Sequence, residues 1–435
     1  MPVPAALARA RFPEAVLQVL RTLAAAGHRS WLVGGAVRDL LLHRSRQADF
    51  DLATPARPEE VILLFPRVIP TGIAHGTVTV LARGEPIEVT TFRGEGAYLD
   101  GRRPESVTFL ADLEADLARR DFTMNAMAFD PLGPEFRDPF GGRADMRRQR
   151  VRAVGDPQAR FAEDGLRPMR AVRFAAQLGY TLDPGTRRAI PRALPVVGRV
   201  APERTTDELS KLLLARGVAE GLRLLRDTGL LGVLLPPLLA LPAAELAHAM
   251  AVAARSPPEL SQRLAALLHR LDRGEAARAL AALRLTRALT EATLTLAGLH
   301  PCRRPGGRDL PGPGAVALRR WVSRVEPQRA GPLLALAAAE ARALPPARRD
   351  RARAQVRRLA GRVHAVLASA PPLSIRDLAL DGNAVAAVVG EPPGPRVGEA
   401  LRYLLDRVLE HPEENAPERL GAALREWSAH RSDRI

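Results

Sequence analysis

Residues 31–51 read WLVGGAVRDLLLHRSRQADFD, and this stretch decides how the N-terminal part of the chain folds. The apolar run 31–33 predicts a short buried strand, and the glycine pair at 34–35 predicts a turn. A helical pattern follows, and we interpret the tripeptide DFD at 49–51 as the start of a second strand. The predicted order is therefore strand, glycine turn, helix and strand.

The two acids of that tripeptide indicate a metal site. Alternate side chains of a strand point to the same face, so we expect Asp49 and Asp51 to lie side by side. Adjacent carboxylates repel each other unless a cation lies between them, and Mg²⁺ takes oxygen ligands. The turn at Gly34 and Gly35 exposes backbone N–H groups that suit a phosphate. A metal beside a phosphate indicates phosphoryl transfer; the alternative is a solvated strand end beside an ordinary turn.

A hairpin follows. Residues 77–82 and 87–93 alternate in polarity around the turn sequence RGEP at 83–86. Glu88, in the second strand, is either a third metal-binding carboxylate or a surface residue.

Other segments of the N-terminal part also carry clear patterns. Helices are predicted over 12–27 and over 58–64, the latter with proline in its first turn. The polar, glycine-rich segment 94–110 predicts a mobile loop, and 131–143 is rich in turns.

A third group of polar residues surrounds Arg120 and Asp121, at the end of a predicted helix. The following segment, FTMNAMAF at 122–129, predicts a strand or a buried stretch, with Asn125 about one strand step beyond Asp121. Charged and amide side chains at a sheet edge can hold a ribose.

The composition indicates a soluble protein that binds a polyanion. The 435 residues are 46% hydrophobic and 26% charged, as in ordinary globular proteins. The net charge of +16 favours nucleic acid as the partner, while only 4% aromatic residues argue against base-stacking platforms. The chain has one cysteine, no secretory signal and no uninterrupted apolar run of about 20 residues. We expect a cytoplasmic protein without a membrane span.

From residue 158 onward the pattern predicts helices joined by Pro/Gly breaks, without strands. Within this half, residues 301–362 contain 15 arginines and 4 acids. So few compensating acids favour a surface for the RNA backbone over a merely solvated helix face.

The segment FAEDGLRPMRAVRF at 161–174 predicts a helix with one charged ridge. Asp164, Arg167, Arg170 and Arg173 are spaced by three, and Glu163 can orient Arg167 from four residues away. A salt-bridged helix face is the other explanation.

An adjacent Asp and Arg can select a base. The aspartate accepts from the amino group of cytosine or adenine, and the arginine donates to the neighbouring ring nitrogen. Guanine and uracil present the opposite groups, and a buried mispaired group costs about 1–3 kcal/mol. Asp164 and Arg167 can therefore favour C and A, while Arg170 and Arg173 can reach a triphosphate.

Seven motifs occur along the chain in the following order: GGAVRD (34–39), DFD (49–51), EVTTFR (88–93), RRDFTMNAMA (119–128), DPFGG (138–142), EDGLRPMRAVRF (163–174) and PERTTDEL (202–209). Together they resemble the motifs of the class II tRNA nucleotidyltransferases, the CCA-adding enzymes, which belong with bacterial poly(A) polymerase in the polymerase-β-type superfamily. The resemblance is dense over 30–215 and weaker over 261–300 and 374–425.

The resemblance implies an α+β fold. A nucleotidyltransferase head with a small mixed sheet spans 1–155, and a helical neck that selects the base spans 156–215. A helical, degenerate HD-like body spans 216–345, and a helical tRNA-binding tail spans 346–435.

The resemblance also implies a role for each matching residue, and a loop at 94–110 that helps the switch from CTP to ATP. The implied roles are Gly34, Gly35 and Arg38 for the triphosphate, Asp49 and Asp51 for Mg²⁺, Arg120 and Asp121 for the ribose, Asp164 and Arg167 for the base, and Arg170 and Arg173 for the rest of the nucleotide.

Some positions depart from the family pattern. Pro168 removes a backbone donor and crowds the carbonyl of Asp164, so the helix must start near 164 or kink there, and Gly165 adds slack. Arg270 replaces the aspartate expected after His269 in an HD motif, so we expect His269 to be a packed or solvated helix residue without a second metal site. In the tail, Ala384 stands where relatives usually have Asp.

The function that follows is addition of C, C and then A to the 3′ end of tRNA from CTP and ATP. Contacts to the acceptor stem and elbow are expected, and no protein partner is predicted. The alternatives are an A-adding or CC-adding enzyme, a poly(A) polymerase, or a catalytically inactive RNA-binding relative.

Overall fold

The computed structural model describes most of the chain as two compact units. The first comprises Met1–Pro236 and Ala282–Arg284, and the second comprises Pro237–Ala281 and Leu285–Ile435. The described residues are 1–43, 50–94, 108–109, 112–300, 311–312 and 314–432. Asp49 and most of the predicted loop at 94–110 lie outside them.

All the strands in the described ranges belong to the first unit. They are β1 (Trp31–Val33), β2 (Leu52–Thr54), β3 (Val68–Gly72), β4 (Thr77–Ala82), β5 (Glu85–Thr91), β6 (Arg93–Gly94), β7 (Thr108–Phe109), β8 (Ala128–Asp130), β9 (Glu135–Arg137), β10 (Arg150–Val151) and β11 (Thr181–Leu182).

The described part of the first unit also contains helices. They are α1 (Ala5–Ala8), α2 (Glu14–Ala25), α3 (Gly35–Leu41), α4 (Pro58–Leu64), α5 (Leu113–Ala118), α6 (Gly142–Arg147), α7 (Pro157–Glu163), α8 (Arg167–Leu178), α9 (Pro184–Val197), α10 (Pro202–Leu214), α11 (Val218–Asp227) and α12 (Leu230–Leu234).

The described part of the second unit is helical, with α15 ending at its boundary. Its helices are α13 (Ala243–Arg255), α14 (Leu260–Leu268), α15 (Arg273–Ala282), α16 (Arg287–Gly298), α17 (Ala315–Val325), α18 (Pro327–Ala343), α19 (Pro346–Ala368), α20 (Gly382–Val389), α21 (Pro395–Glu410) and α22 (Pro417–Ser432). No helix in the described ranges is long and apolar enough to span a membrane.

A mixed sheet of seven strands forms the centre of the first unit, in the order β3-β4-β5-β2-β1-β8-β9. The β2–β5 pair is parallel and the other pairs are antiparallel. β1 is flanked by β2 and β8, and all three of its residues are buried. The predicted mixed sheet and buried strand at 31–33 are therefore confirmed.

The second predicted strand begins later than expected. β2 starts at Leu52, so the prediction of a strand from 49 is wrong for Phe50 and Asp51. Asp51 nevertheless joins the ladder by its backbone, because its carbonyl oxygen accepts from the Val33 N–H at 3.1 Å. This bond holds Asp51 beside the end of β1.

The predicted hairpin is confirmed, with a tighter turn. Arg83 (φ 52°) and Gly84 (φ 82°) form a two-residue connection in the left-handed region. Such turns match the twist of the paired strands, so β5 starts at Glu85 and the turn does not extend to Pro86. The predicted helices at 12–27 and 58–64 are found as α2 and α4.

One strand lies beyond residue 158, where the sequence pattern predicted helices only. β11, beyond residue 158, pairs in parallel with β10, joining the end of the predicted head to the helices that follow. The described residues on either side of 95–107 are also paired, because β6 and β7 form an antiparallel ribbon.

Candidate active site

A cavity of about 440 Å³ in the first unit brings together eleven of the predicted site residues. Two further lining residues, Arg119 and Phe174, were not predicted. The described residues lining the cavity are Gly34, Gly35, Arg38, Asp51, Arg119, Arg120, Asp121, Asn125, Asp164, Arg167, Arg170, Arg173 and Phe174.

The glycine turn forms one wall, between β1 and α3. Gly34 has φ 68° and ψ −128°, a conformation that favours glycine. A Cβ atom on Gly34 would lie 2.8 Å from Arg120 Nη1. Glycine at this position therefore permits both the turn and the close approach of the Arg120 guanidinium.

Arg119 and Arg120 are anchored by one buried acid, Asp116 of α5. Asp116 Oδ1 accepts from Arg119 Nη2 at 2.6 Å, and Oδ2 accepts from Arg120 Nη2 at 3.0 Å. Burial alone would raise the pKa of Asp116, but the two guanidinium groups lower it below its ordinary value. Both arginines are therefore held by a charged carboxylate.

Asp121 is the centre of a second network. Arg170 Nε and Nη2 each lie 2.7 Å from Asp121 Oδ2, while Asn125 Nδ2 and the Phe122 N–H donate to Oδ1 at 2.9 and 2.8 Å. Burial alone would raise the pKa of Asp121, but Arg170 and these donors lower it. Asp121 is therefore a charged carboxylate with both oxygens engaged.

Asn125 extends this network to α3. Its Oδ1 accepts from Arg38 Nη1 at 2.7 Å. The expectation that Asn125 stands one strand step beyond Asp121 is wrong, because residues Thr123–Asn125 form a turn of 3₁₀ helix. The tighter turn brings the amide back toward Asp121 and lets it bridge Asp121 and Arg38.

Glu208 contacts two arginines of α8. Its Oε2 accepts from Arg173 Nε at 2.5 Å, and its Oε1 lies 3.6 Å from Arg170 Nη1. Glu208 is 3% exposed. It was not predicted as a site residue, although it lies in the motif PERTTDEL, which was the available signal.

Three guanidinium groups surround the ring of Phe174. The Cζ atoms of Arg38, Arg170 and Arg173 lie 5.0, 5.4 and 3.7 Å from the ring centroid. These distances suit cation–π attraction. Phe174 therefore packs the arginines of two helices, α3 and α8, around one apolar centre.

Asp164 and Arg167 line the cavity, but they do not share a helix. α7 ends at Glu163, and α8 begins at Arg167. Asp164 lies in the connecting turn, where its Oδ1 accepts from the Leu166 N–H at 3.0 Å. The predicted ridge is therefore correct for the three arginines of α8 and wrong for Asp164.

Pro168 causes no kink, because it lies in the first turn of α8, where a missing N–H costs nothing. Gly165 does not add slack. A Cβ atom there would lie 2.7 Å from the Val196 carbonyl oxygen, so glycine permits close packing against α9.

Arg167 is fixed by several acceptors. Its Nη1 donates to Glu163 Oε2 at 2.7 Å and to the Arg160 carbonyl at 3.1 Å, and its Nη2 donates to the Arg119 carbonyl at 2.9 Å. The predicted Glu163–Arg167 contact is thus present, although Glu163 does not line the cavity.

Two of the three carboxylates that were predicted to bind a metal ion lie within the described residues. Asp51 lines the cavity beside the glycine turn, whereas Asp49 lies outside the described residues. Glu88 is exposed and does not line the cavity. It precedes Val89, whose partner in β2 is Leu52, so Glu88 in β5 and Asp51, just before β2, each lie one residue before this pair.

The charge of the cavity suits a nucleotide with a divalent cation. Its described lining includes six arginines and three aspartates. The excess of guanidinium groups favours a polyphosphate, and Asp51 offers oxygen ligands at the same wall. The residues present therefore fit a hard cation next to a triphosphate.

Replacing Asp121 by Asn should lower the free energy of unfolding by about 1–3 kcal/mol at pH 7, because Arg170 loses its charged partner. The pKa of Asp121 lies below its ordinary value because of Arg170 and the other donors, so the carboxylate stays charged at a pH where a free aspartate is already becoming protonated. The advantage of the wild type should then disappear as the pH falls further, through the folded-state pKa. Urea denaturation across this pH range measures the difference.

The control for this experiment is Asp207→Asn, which removes the exposed partner of Lys211. Its effect should stay below about 0.5 kcal/mol. An Asp121→Asn protein as stable as the wild type at pH 7 would contradict the assignment of Asp121 as the centre of the network.

Two family models match the chain. The one described as "Poly A polymerase head domain" matches residues 30–152, which include the sheet and the glycine turn. The one described as "Probable RNA and SrmB- binding site of polymerase A" matches residues 179–241. Divalent metals are typical of such nucleotidyltransferases.

Two solved structures share the fold. The CCA-adding enzyme of Bacillus stearothermophilus in complex with CTP has a TM-score of 0.75 and 35% identity, and the match covers 97% of this chain and 99% of that one. The Thermotoga maritima CCA-adding enzyme complexed with tRNA_CCA has a TM-score of 0.67, with 97% and 98% covered. Its identity of 19% supports the fold alone.

Curated relatives agree over almost the whole length. The CCA-adding enzyme of Geobacillus stearothermophilus is 40% identical over 418 residues, covering 95% of this chain and 97% of the relative. That of Geobacillus kaustophilus is 40% identical over 417 residues, covering 95% and 96%. With this identity, this coverage and the shared head, the chain belongs to the CCA-adding enzyme family of nucleotidyltransferases.

Proposed function

We propose that the protein adds C, C and then A to the 3′ end of tRNA, using CTP and ATP and releasing pyrophosphate. The observation that carries the proposal is the convergence of the glycine turn, Asp51 and the pair Asp164 and Arg167 on one cavity. A relative with 35% identity has been solved with CTP, which supports a nucleotide as the occupant. We place this activity in the cytoplasm.

The glycine turn and Arg38 bind the triphosphate, with Arg170 and Arg173 completing the nucleotide site. Support comes from the positive charge that these arginines bring to the cavity. Their acidic and amide partners orient the guanidinium groups before a nucleotide arrives, as Glu208 does for Arg173 at 2.5 Å. Positioning of this kind supplies much of the catalysis in phosphoryl transfer.

Asp49 and Asp51 hold Mg²⁺, which supplies positive charge at the reacting phosphate when it is bound. The 3′-hydroxyl oxygen of tRNA attacks the α-phosphorus, and the bond to the β-phosphate oxygen breaks. The arginines of the cavity neutralise the charge on the departing pyrophosphate. Glu88 is a third candidate ligand because it occupies the position beside Asp51 on β5.

Arg120, Asp121 and Asn125 form the wall that receives the ribose. Since both oxygens of Asp121 already accept hydrogen bonds, Asp121 contributes mainly by orienting Asn125 and Arg170.

Asp164 and Arg167 act as a template for the base. The carboxylate of Asp164 accepts the amino group of C or A, and Arg167 donates to the ring nitrogen. The contact from Glu163 Oε2 to Arg167 Nη1, at 2.7 Å, orients the guanidinium. Pre-set polar groups discriminate well because a wrong base leaves them unpaired.

The second half binds tRNA by shape and phosphate contact. α19 carries seven arginines and a single acid, Asp350, and Arg348, Arg351, Arg353, Arg357 and Arg358 are exposed. A helix with this imbalance suits the backbone of double-helical RNA. We keep the divisions at 155, 215 and 345 into head, neck, body and tail as part of the proposal.

The decisive assay offers the purified protein tRNA ending before CCA, after C and after CC, with labelled CTP or ATP and Mg²⁺. Addition of two C and then one A is expected. Addition of A alone, to the CC-ended tRNA, would indicate an A-adding enzyme. Addition of C alone would indicate a CC-adding enzyme, and synthesis of long A tails would indicate a poly(A) polymerase. No incorporation would indicate an inactive RNA-binding relative.

In the same assay, Asp51→Asn should lower the rate at least about a hundredfold, because the proposed Mg²⁺ site loses one of its charged oxygen ligands. Asp207→Asn, which removes an exposed carboxylate, should retain the wild-type rate. Full activity of the Asp51 variant would refute the metal assignment.

Asp164→Ala should lower the preference for CTP and ATP over UTP and GTP by about tenfold to a hundredfold, since one selecting contact is lost. The ratio of kcat/KM values measures this preference. Asp156→Ala is the matched control, because Asp156 caps α7 without lining the cavity. An unchanged ratio in the Asp164 variant would show that base selection lies elsewhere.

Replacing Arg357 and Arg358 by Gln should weaken tRNA binding and reduce its salt slope by about two, one for each lost phosphate contact. Filter binding at several salt concentrations measures both quantities. The control replaces Arg223 and Arg226, two arginines of α11 that are paired with acids, the first partly exposed and the second exposed. Equal losses in the two double variants would argue against a specific role for α19.

A further inference from the structure

Three potential metal ligands meet inside the second unit, and none of them lines the nucleotide cavity. His248 lies on α13, His269 follows the last residue of α14, and Glu340 lies on α18. One ligand atom of each lies within 4.8 Å of the other two. His269 and Glu340 are buried, and His248 is partly exposed, so one side of the cluster is open to solvent.

Two atoms of this cluster have unmet bonding capacity. His269 Nε2 and Glu340 Oε2 are both buried, 3.9 Å apart, and neither has a hydrogen-bond partner within the described part of the chain. An unpartnered buried polar atom costs free energy, so such pairs need an explanation.

The tautomer of His269 is fixed by its backbone contact. Nδ1 lies 2.7 Å from the Ala266 carbonyl oxygen, which only accepts, so Nδ1 carries the proton. Nε2 therefore presents a lone pair toward the carboxylate oxygen of Glu340. A backbone carbonyl on the second ring nitrogen is the usual arrangement of a metal-binding histidine.

A second ring fixes the position of the His269 ring. His300 stacks on it, with ring centroids 4.1 Å apart, and covers one face. The His269 ring is thereby held with Nε2 3.9 Å from Glu340 Oε2.

We infer that His248, His269 and Glu340 bind one divalent transition-metal ion of the Zn²⁺ class. Two imidazole nitrogens and one carboxylate oxygen are a donor set that zinc uses, with a further position left for water. A cation between Nε2 and Oε2 satisfies both unpartnered atoms at once. It also links α13, α14 and α18.

Arg270 provides the competing explanation, a carboxylate neutralised without a metal. Its Nη2 lies 3.6 Å from Glu340 Oε1, and His248 Nε2 lies 2.6 Å from the same oxygen. Both contacts concern Oε1, however, and leave Oε2 and the His269 nitrogen unexplained. Because Arg270 replaces the HD aspartate, the sequence predicts no second metal site here. Glu340, 70 positions further along the chain, supplies a carboxylate that the local motif lacks.

The experiment uses the full chain, stripped with a chelator and titrated with Co²⁺ or Zn²⁺ in excess Mg²⁺, which occupies oxygen-rich sites. One Co²⁺ per chain with a visible ligand-field band is expected, together with a higher Tm on adding Zn²⁺. Glu340→Gln and His248→Gln should each weaken binding at least about tenfold. His364→Gln, which changes an exposed histidine of α19, should bind as the wild type does.

Nucleotide addition and circular dichroism report whether each variant is folded. If Glu340→Gln does not fold, His248→Gln decides, because His248 is partly exposed and its loss removes one ligand only. A wild-type chain that binds neither ion, or equal binding by the wild type and a folded His248→Gln variant, would overturn the inference.

Discussion

The charged carboxylate of Asp121 is the contact on which the nucleotide cavity depends. It joins the 3₁₀ turn after α5 to α8 through Arg170, and it reaches α3 through Asn125 and Arg38. A carboxylate at 9% exposure is costly to desolvate, and only its four close donor contacts offset that cost. The position of α8 against the sheet therefore depends on this ion pair as well as on apolar packing.

The same principle recurs around the cavity. Asp116 holds Arg119 and Arg120, and Glu208 holds Arg173. Asp116 and Glu208 do not line the cavity, and both oxygens of Asp121 accept hydrogen bonds, whereas the arginines that these acids hold all line the cavity. The second unit departs from this pattern, because Glu340 has one oxygen that neither Arg270 nor His248 satisfies. This unsatisfied oxygen distinguishes the cluster around Glu340, where we infer a metal site, from the ion-pair networks of the nucleotide cavity.

Local pattern predicted the elements whose signal lies within a few residues. The buried strand at 31–33, helix α4 and the β4–β5 hairpin follow from apolar runs, a proline at a helix start and a turn sequence. The start of α8 was harder, because spacing by three suggested one helix from Asp164, whereas Pro168 is best accommodated by a helix that starts at Arg167. The proline was the better signal of the two.

Local sequence patterns could not predict contacts between segments that are distant in the chain. Asp121 and Arg170 are 49 positions apart, and Arg173 and Glu208 are 35 apart. The order of the motifs predicted most of the cavity residues, because resemblance to a known family implies its fold and therefore which distant residues share a site. It did not reveal Phe174 as the shared centre of three arginines, or Glu340 as a partner of His269. Both depend on helix packing, which no spacing rule encodes.

The partnership of Glu208 with Arg173 has an entropic consequence. An arginine side chain that is free to rotate loses about 2 kcal/mol of rotamer entropy when it is immobilised on a ligand. Arg173 has already lost that freedom on folding, because Glu208 and Gln177 hold its guanidinium and Phe174 packs against it. The ordering cost of Arg173 is thus part of folding. In the role that we propose for Arg173, a nucleotide would bind without this cost, and Glu208 would raise the affinity by ordering Arg173 in advance.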